Sequence, residues 1–290
     1  MSWRTVVVSR SAKLDYQLGY LVVRTDETTK IHIDEVETLL LESTAISITG
    51  ALLSELVKKK VKVIFCDEKR NPVSELAPYY GSHDTSAKIR RQIAWSEDAK
   101  QTVWTEIVTD KIRKQADHLR DRSKSEADML YQYVKEIEYG DITNREGHAA
   151  KVYFNALFGK DFTRTDENSI NAALNYGYTL LLSSFNREIT SCGYITQLGI
   201  FHDNMFNRFN LASDIMEPFR VLVDRTVYDM HPEQFEHDEK MELLKVLQDT
   251  LTIAGRQEYV NNAIKIYTKS IFDALNDNDS SLIKFYGYEL

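Results

Sequence analysis

Apolar and polar positions along this chain keep two different periods, and the change from one to the other divides it. Through residues 1–80 the apolar side chains come in short β-branched or alternating runs: Thr5–Val8, Tyr20–Arg24, Lys30–Ile33 and Val61–Phe65. Such runs fit strands, whose side chains alternate between two faces. Gly19 and the polar cluster Asp26–Thr29 predict turns. Leu52, Leu53, Leu56 and Val57 fall instead at helical spacing and predict one helix over 50–60, packed on the sheet. Pro72 and Pro78 then precede the stretch YYGSHD, Tyr79–Asp84, after which strand signals nearly vanish. The reading is an α+β chain: a small N-terminal β-sheet domain (1–80), a linker (81–86) and a larger all-α C-terminal domain (87–290).

Beyond Ser86 the period is helical. Val103, Trp104, Ile107, Val108, Ile112 and Leu119 form one apolar stripe, and Ala127, Leu130, Val134 and Ile137 a second that Gly140 ends. Thr143–Phe158 predicts a third helix, stopped by Gly159. Asn168–Ile189 is apolar nearly all round, the pattern of a central, buried helix. Leu211–Met230 predicts another, interrupted by Pro218, and residues 233–272 add two or three amphipathic helices.

Composition narrows the class without naming a function. Hydrophobic residues make up 43% and charged residues 28%, the balance of a soluble globular protein, and no apolar run is long enough to span a bilayer. The N-terminus passes directly into Val6–Val8 with no basic segment ahead of a long apolar one, so no secretory signal is expected. Cys66 and Cys192 lie far apart in apolar surroundings and read as thiols in a reducing, cytoplasmic compartment. The net charge of −8 argues mildly against nucleic acid as a partner. Its distribution weakens that objection: Lys88–Lys124 carries ten Lys or Arg against six Asp or Glu, and the acidic excess is concentrated in Asp229–Leu290. A solvated helix face would give the same pattern.

The segment LGIFHDNMFNRFNLASDIMEPFR, Leu198–Arg220, places His202, Asp214 and Glu217 within one stretch. Three residues apart on a helix, Asp214 and Glu217 share a face, and Pro218 would kink the axis beside them. The plain alternative is a solvent-facing acidic pair near a helix start. A lone histidine beside apolar residues is more often a satisfied core or surface group than a ligand. Glu146 has a specific alternative too, since Thr143-Asn-Arg-Glu146 matches the capping box that ties a glutamate to its own backbone. Together, one imidazole and up to three carboxylates make a donor set for Mg²⁺ or Mn²⁺. His83-Asp84, His202-Asp203, His118 and His148 superficially fit a His-Asp phosphohydrolase, but their helical positions do not organise them. There is no Gly-rich phosphate loop, cysteine cluster or nucleophile elbow.

The order of motifs resembles the CRISPR-associated adaptation integrase family, CRISPR-associated protein one, and is most similar to its type II members. The resemblance spans essentially the whole chain: WRTVVV, VIFCDEKRNP, RRQIAWSEDAKQTVW, REGHAAKVYFNALFG, SINAALNYGYTLL and LGIFHDNMFNRFNLASDIMEPFR. It implies a β-rich N-terminal domain for dimerisation and partner contacts, and a helical catalytic domain. It implies that Glu146, His202 and Glu217 hold a catalytic Mg²⁺ or Mn²⁺, with Asp214 behind them or joined through a water, and that Glu146 turns inward while Thr143 still caps the helix. Many members carry Asp-x-x-Asp where this chain has Asp214-x-x-Glu217, and the longer side chain should still reach. The segment Gly193–Gly199 lacks a proline common elsewhere in the family.

The implied activity is that of a DNA endonuclease and strand-transfer integrase, joining the 3′-hydroxyl of captured duplex DNA to the CRISPR leader-repeat. Two joined ends require two sites, so the resemblance implies a homodimer, with two dimers bridged by a dimer of the small CRISPR-associated protein two. Under the type II reading the effector nuclease becomes a further partner in selecting DNA. On charge pattern alone, Arg90, Arg91, Lys111, Arg113 and Lys114 are candidates for phosphate contacts. The competing classes are a stand-alone metal-dependent phosphohydrolase and a non-catalytic helical interaction protein.

Overall fold

A computed structural model of the chain describes residues 4–76 and 82–287. It divides into two compact units, Met1–Tyr79 and Tyr80–Leu290. Trp3 of the first motif, and Pro78 through Gly81 at the expected boundary, lie outside the described residues.

The first unit runs β1 (Arg4–Val8), β2 (Ala12–Gln17), β3 (Tyr20–Arg24), β4 (Thr28–His32), β5 (Val36–Leu41), β6 (Ile46–Ile48), α1 (Gly50–Lys58), β7 (Lys62–Cys66) and β8 (Pro72–Glu75). It forms two four-stranded sheets, ordered β1-β5-β7-β8 and β4-β3-β2-β6. In the first, β1, β5 and β7 are parallel and β8 antiparallel; in the second only the β2–β6 pair is parallel. Leu14, Leu21, Leu39, Val63 and, from α1, Leu52 and Leu56 share one core. Four strands escaped the periodicity reading. Of these, Val36–Leu41 (VETLLL) is buried at every position but Glu37, as a strand covered on both faces requires, although Glu37 and Thr38 interrupt its apolar run. The predicted turn at 26–29 already belongs to β4 at Thr28.

The second unit begins with α2 (Thr85–Ile93), two residues inside the expected linker, and continues with α3 (Glu97–Asp121), α4 (Ala127–Glu136), α5 (Arg145–Phe158) and α6 (Ser169–Ser191). Then come α7 (Asn210–Ile215), α8 (Arg220–Met230), α9 (His237–Lys245), β9 (Thr250–Ile253), β10 (Arg256–Tyr259), α10 (Val260–Asp277) and β11 (Tyr286–Gly287). The α+β class holds, but this unit is not purely helical: β10, β9 and β11 make a small antiparallel sheet. Ala254 and Gly255, both at positive φ, turn the β9–β10 hairpin between two helices. Among the described residues no helix is long and apolar enough to cross a membrane.

Helix α3 is the axis of this unit. Ser96 caps it by accepting from the Ala99 amide at 3.1 Å. Its predicted stripe is buried, as are Asp110, Lys111, Lys114, Gln115 and His118. Helices α4, α5, α8 and α10 pack around it, and α6 packs against α8, α9 and α10. Gly177 of α6 has no room for a side chain: a Cβ there would collide with Val223 of α8.

Candidate active site

Glu146 reaches the interior because other groups cap α5. The Asp141 carboxylate accepts from the amides of Arg145 at 2.8 Å and Glu146 at 3.1 Å, and Asn144, in the left-handed region at φ 52°, accepts from Gly147 at 3.3 Å. With the first-turn donors satisfied, Glu146 has no capping role. The expected Thr143 cap is corrected accordingly: the N-cap is Asn144, and the buried Thr143 hydroxyl has no hydrogen-bond partner.

Glu217 is placed by the break at Pro218. Helix α7 ends at Ile215, a single 3₁₀ turn covers Glu217–Phe219, and α8 restarts at Arg220. Proline at the start of that turn lacks only a donor that a helix N-terminus leaves unpaired anyway. The expected kink is thus a short offset between two helices, and it buries Glu217.

Glu146 and Glu217 meet at one cation, the ammonium of Lys111. Lys111 donates to Glu146 Oε1, and its Nζ lies 2.5 Å from Glu217 Oε2. That second approach is a close ion pair, and Glu217 Oε2 is itself buried. Arg220 Nε stands 3.0 Å from Glu217 Oε1. Burial opposes the Glu217 charge, but Arg220 and Lys111 outweigh it and hold the carboxyl below its usual range. Burial likewise disfavours the Lys111 ammonium, and the charges of Glu217 and Glu146 hold it above the ordinary lysine range.

His202 and Asp214 form the second half of the site. Asp214 is fully buried and accepts from the amides of Ile200 at 2.7 Å, Phe201 at 3.0 Å and His202 at 3.1 Å, as well as pairing with His202 Nδ1. One carboxylate therefore fixes both the loop and the ring, leaving Nε2 as the imidazole nitrogen not held by Asp214. The bond to Asp214 raises the His202 pKa. The ring also sits edge-on to Trp104, 5.9 Å between centroids.

The sequence expectations are met unevenly. Asp214 positions His202, and its four hydrogen bonds occupy it there. Among the described residues no three His, Cys, Asp or Glu side chains stand close enough to share a metal, although the charges of Glu217 and Glu146 both act on the His202 ring. Lys111 and Lys114 are corrected as surface contacts for DNA phosphate: both are buried, Lys111 on the glutamates and Lys114 on Asp110 and over the Tyr286 ring. Arg90 and Arg91, in the last turn of α2, and Arg113 remain exposed. His83 and His148 are exposed and His118 is buried on Tyr153, so they build no His-Asp site.

Beside the glutamates a polar cavity of about 240 Å³ opens, lined also by Arg164, Tyr178, Arg220 and Asp224, which sequence reasoning missed. The guanidinium groups of Arg164 and Arg220 lie over the Tyr178 ring at 5.4 Å and 4.7 Å from its centroid, and the Tyr178 hydroxyl donates to Asp224. Burial pushes the Asp224 carboxyl up to about 6, against the hydrogen bonds from Tyr178 and Tyr153. The signal for Asp224 was its spacing one heptad beyond Glu217, on the same side of a helix. Carboxylates converging on a cation, a positioned imidazole and two arginines beside a cavity can bind a cation together with an anionic, phosphate-bearing substrate.

Comparison with known proteins agrees over nearly the full length. The family model described as CRISPR associated protein Cas1 matches residues 5–263. The CRISPR-associated endonuclease Cas1 of Neisseria meningitidis serogroup C (strain 8013) is 32% identical over 292 residues, spanning 98% of this chain and 96% of that one. Among solved structures, a casposase bound to integration product superposes with a TM-score of 0.77 at 17% identity, over 97% of this chain and 93% of that one. A chain of a Cas6-RT-Cas1–Cas2 complex superposes with a TM-score of 0.73 at 18% identity, over 97% of this chain and 36% of that longer chain. At such identities the structural likenesses show the fold alone.

Proposed function

The chain belongs to the Cas1 family of CRISPR-associated proteins, and from that membership we propose that it is a metal-dependent DNA endonuclease and integrase of CRISPR adaptation. The observation that carries the chemical reading is the convergence of Glu146 and Glu217 on a single cation at the edge of a cavity that also holds two arginines. The donor types suit a hard divalent ion: two carboxylates facing one cation position, now held by the Lys111 ammonium, and an imidazole whose Nδ1 is already committed. With Lys111 in place the three side chains are not gathered closely enough to share a metal. Glu146, Glu217 and His202 would hold Mg²⁺ or Mn²⁺. When bound, such an ion lowers the pKa of an attacking hydroxyl and polarises the phosphoryl group.

The chain's own residues do the rest. Asp214 holds the His202 loop and ring, so the imidazole needs no reorientation. Arg220 and Arg164, restrained on Tyr178, offer guanidinium groups to non-bridging phosphate oxygens. In strand transfer the 3′-hydroxyl of captured DNA forms a new bond to phosphorus at the repeat boundary, and the bond to the old 3′-oxygen breaks. Water in place of the hydroxyl gives cleavage by the same geometry. Exposed Arg90, Arg91 and Arg113 serve duplex DNA as charge rather than as sequence readers. The partners proposed are a second copy of the chain, the small protein Cas2 bridging two dimers, the leader-repeat DNA and the type II effector nuclease.

The test is a joining assay with purified chain, its Cas2, labelled duplex DNA, a supercoiled leader-repeat plasmid and Mn²⁺. Label is expected to enter the plasmid at the repeat, and Glu146→Ala, His202→Ala and Glu217→Ala each to abolish transfer. Cutting without joining would favour a stand-alone phosphohydrolase. Full activity in the three variants would remove the assigned site.

A further inference from the structure

The site carries its own cation between its two glutamates, and nothing in the proposed reaction uses it there. Lys111 rises from the middle of α3 and is 5% exposed. Its ammonium is bonded to Glu146 Oε1 and 2.5 Å from Glu217 Oε2, the two oxygens that face each other across it. Two carboxylates this close repel unless a cation lies between them, and removing one charge from a buried ionic cluster is strongly destabilising. An ammonium and a divalent ion meet the same need but cannot occupy the same point. Lys111 also has somewhere to go, because it lines a cavity of about 240 Å³ whose wall includes the Asp224 carboxyl, along with Arg164 and Arg220. Lys114, a turn away, differs in this respect: it is buried against Asp110, with no part in the glutamate pair.

We propose that Lys111 is an internal counter-cation that holds Glu146 and Glu217 together in the metal-free protein and is displaced into the neighbouring cavity when a divalent metal enters between them. The inference rests on the metal reading given above. It makes metal binding an exchange of cations, so the site stays assembled without metal and its affinity is held down by the competing ammonium. Lys111 is thus a positioning residue whose effect is read in binding rather than in turnover.

The first measurement uses the unaltered protein. Acetic anhydride labelling, followed by mass spectrometry of the peptide containing Lys111, is run with and without saturating Mn²⁺, bound metal being counted by the loss of the free Mn²⁺ resonance signal. Labelling of Lys111 is expected to rise severalfold on Mn²⁺ addition, while Lys114 stays protected. The second measurement is the Mn²⁺ affinity of Lys111→Met. That affinity is expected to increase by about ten-fold or more, because no cation has to be displaced from the carboxylates, and the metal-free variant should melt below wild type with a larger rise on adding Mn²⁺. Unchanged Lys111 labelling at full Mn²⁺ occupancy, or a folded Lys111→Met that binds Mn²⁺ no better than wild type, overturns the proposal. Should Lys111→Met fail to fold, the labelling decides. Wild type that binds no Mn²⁺ overturns instead the metal reading beneath it.

Discussion

Gly199 has no room for a side chain. A Cβ there would fall on the His202 carbonyl oxygen and 2.7 Å from Asp214 Oδ2, inside the cluster that fixes the histidine loop. Gly199→Ala is therefore expected to lower strand-transfer rate by about a hundred-fold through misplacement of His202, with a melting temperature within a few degrees of wild type; a rate near wild type would show that the loop absorbs the methyl. Asp214→Asn should act differently. One side-chain oxygen survives where two accepted from backbone, so the Ile200–His202 loop loosens, and its amide hydrogen exchange should accelerate while α7 keeps its protection. The sequence displayed these residues without their roles. Asp214 and Glu217 look equivalent at three-residue spacing, yet backbone amides surround one and cations the other.

At the scale of elements, the start of α5 and the α6–α8 contact decide how the glutamate is presented. Replacing Asp141 by Ala leaves the first amides of α5 unsatisfied and should cost about 1 kcal/mol or more of unfolding free energy, read from the urea midpoint; no change would mean that water replaces the cap. Gly177→Ala should be harsher, since a methyl must displace Val223 between two packed helices, and overpacking of this kind costs about 1–3 kcal/mol. The helices themselves were legible because burial repeats at their period. The stripe on α3 carried more than it was credited with: Val103, Ile107, Lys111, Lys114 and His118 recur at three and four residues, so the lysines continue the buried face. Charge pattern alone put them in solvent. The β9–β10 hairpin stayed hidden because Thr250–Tyr259 is short and sits between two helical periods.

Across the whole molecule, a buried hydrogen-bonded chain sets how stability responds to acid. His118 pairs with Tyr153 at 2.7 Å, and Tyr153 with Tyr178 binds Asp224. Burial, with Arg225 and Arg122 nearby, pushes His118 down to about 3 from 6.5. Its folded state binds the proton later than the unfolded chain, so this group's contribution is present above pH 6.5 and is lost as pH falls toward 3. Asp224, pushed up to about 6 from 3.8, works in the other direction: its folded state takes up a proton first, and stability is gained as pH falls from 6 toward 3.8. Between those values the two largely offset each other. Asp224→Asn should therefore lose stability with acid more steeply than wild type over pH 6 to 4, by up to about 1.4 kcal/mol per pH unit, measured by urea denaturation. Parallel slopes would show that Asp224 is already ionised throughout.

The chain by itself determined the α+β class, the change from strand to helix near residue 80, most helix spans and the family. Each of these rests on local periodicity or on the order of short motifs, and both are written along one dimension. Only the tertiary structure decided that Asn144 and Asp141, rather than Thr143, cap α5, that Asp214 serves His202, that Lys111 stands between Glu146 and Glu217, and that Arg164, Tyr178, Arg220 and Asp224 share their cavity. The α5 cap is local and turns on the left-handed backbone at Asn144; the cation and cavity contacts join residues far apart in sequence. Which partner a buried charge finds depends on distances in space, and the spacing of residues along the chain does not carry them.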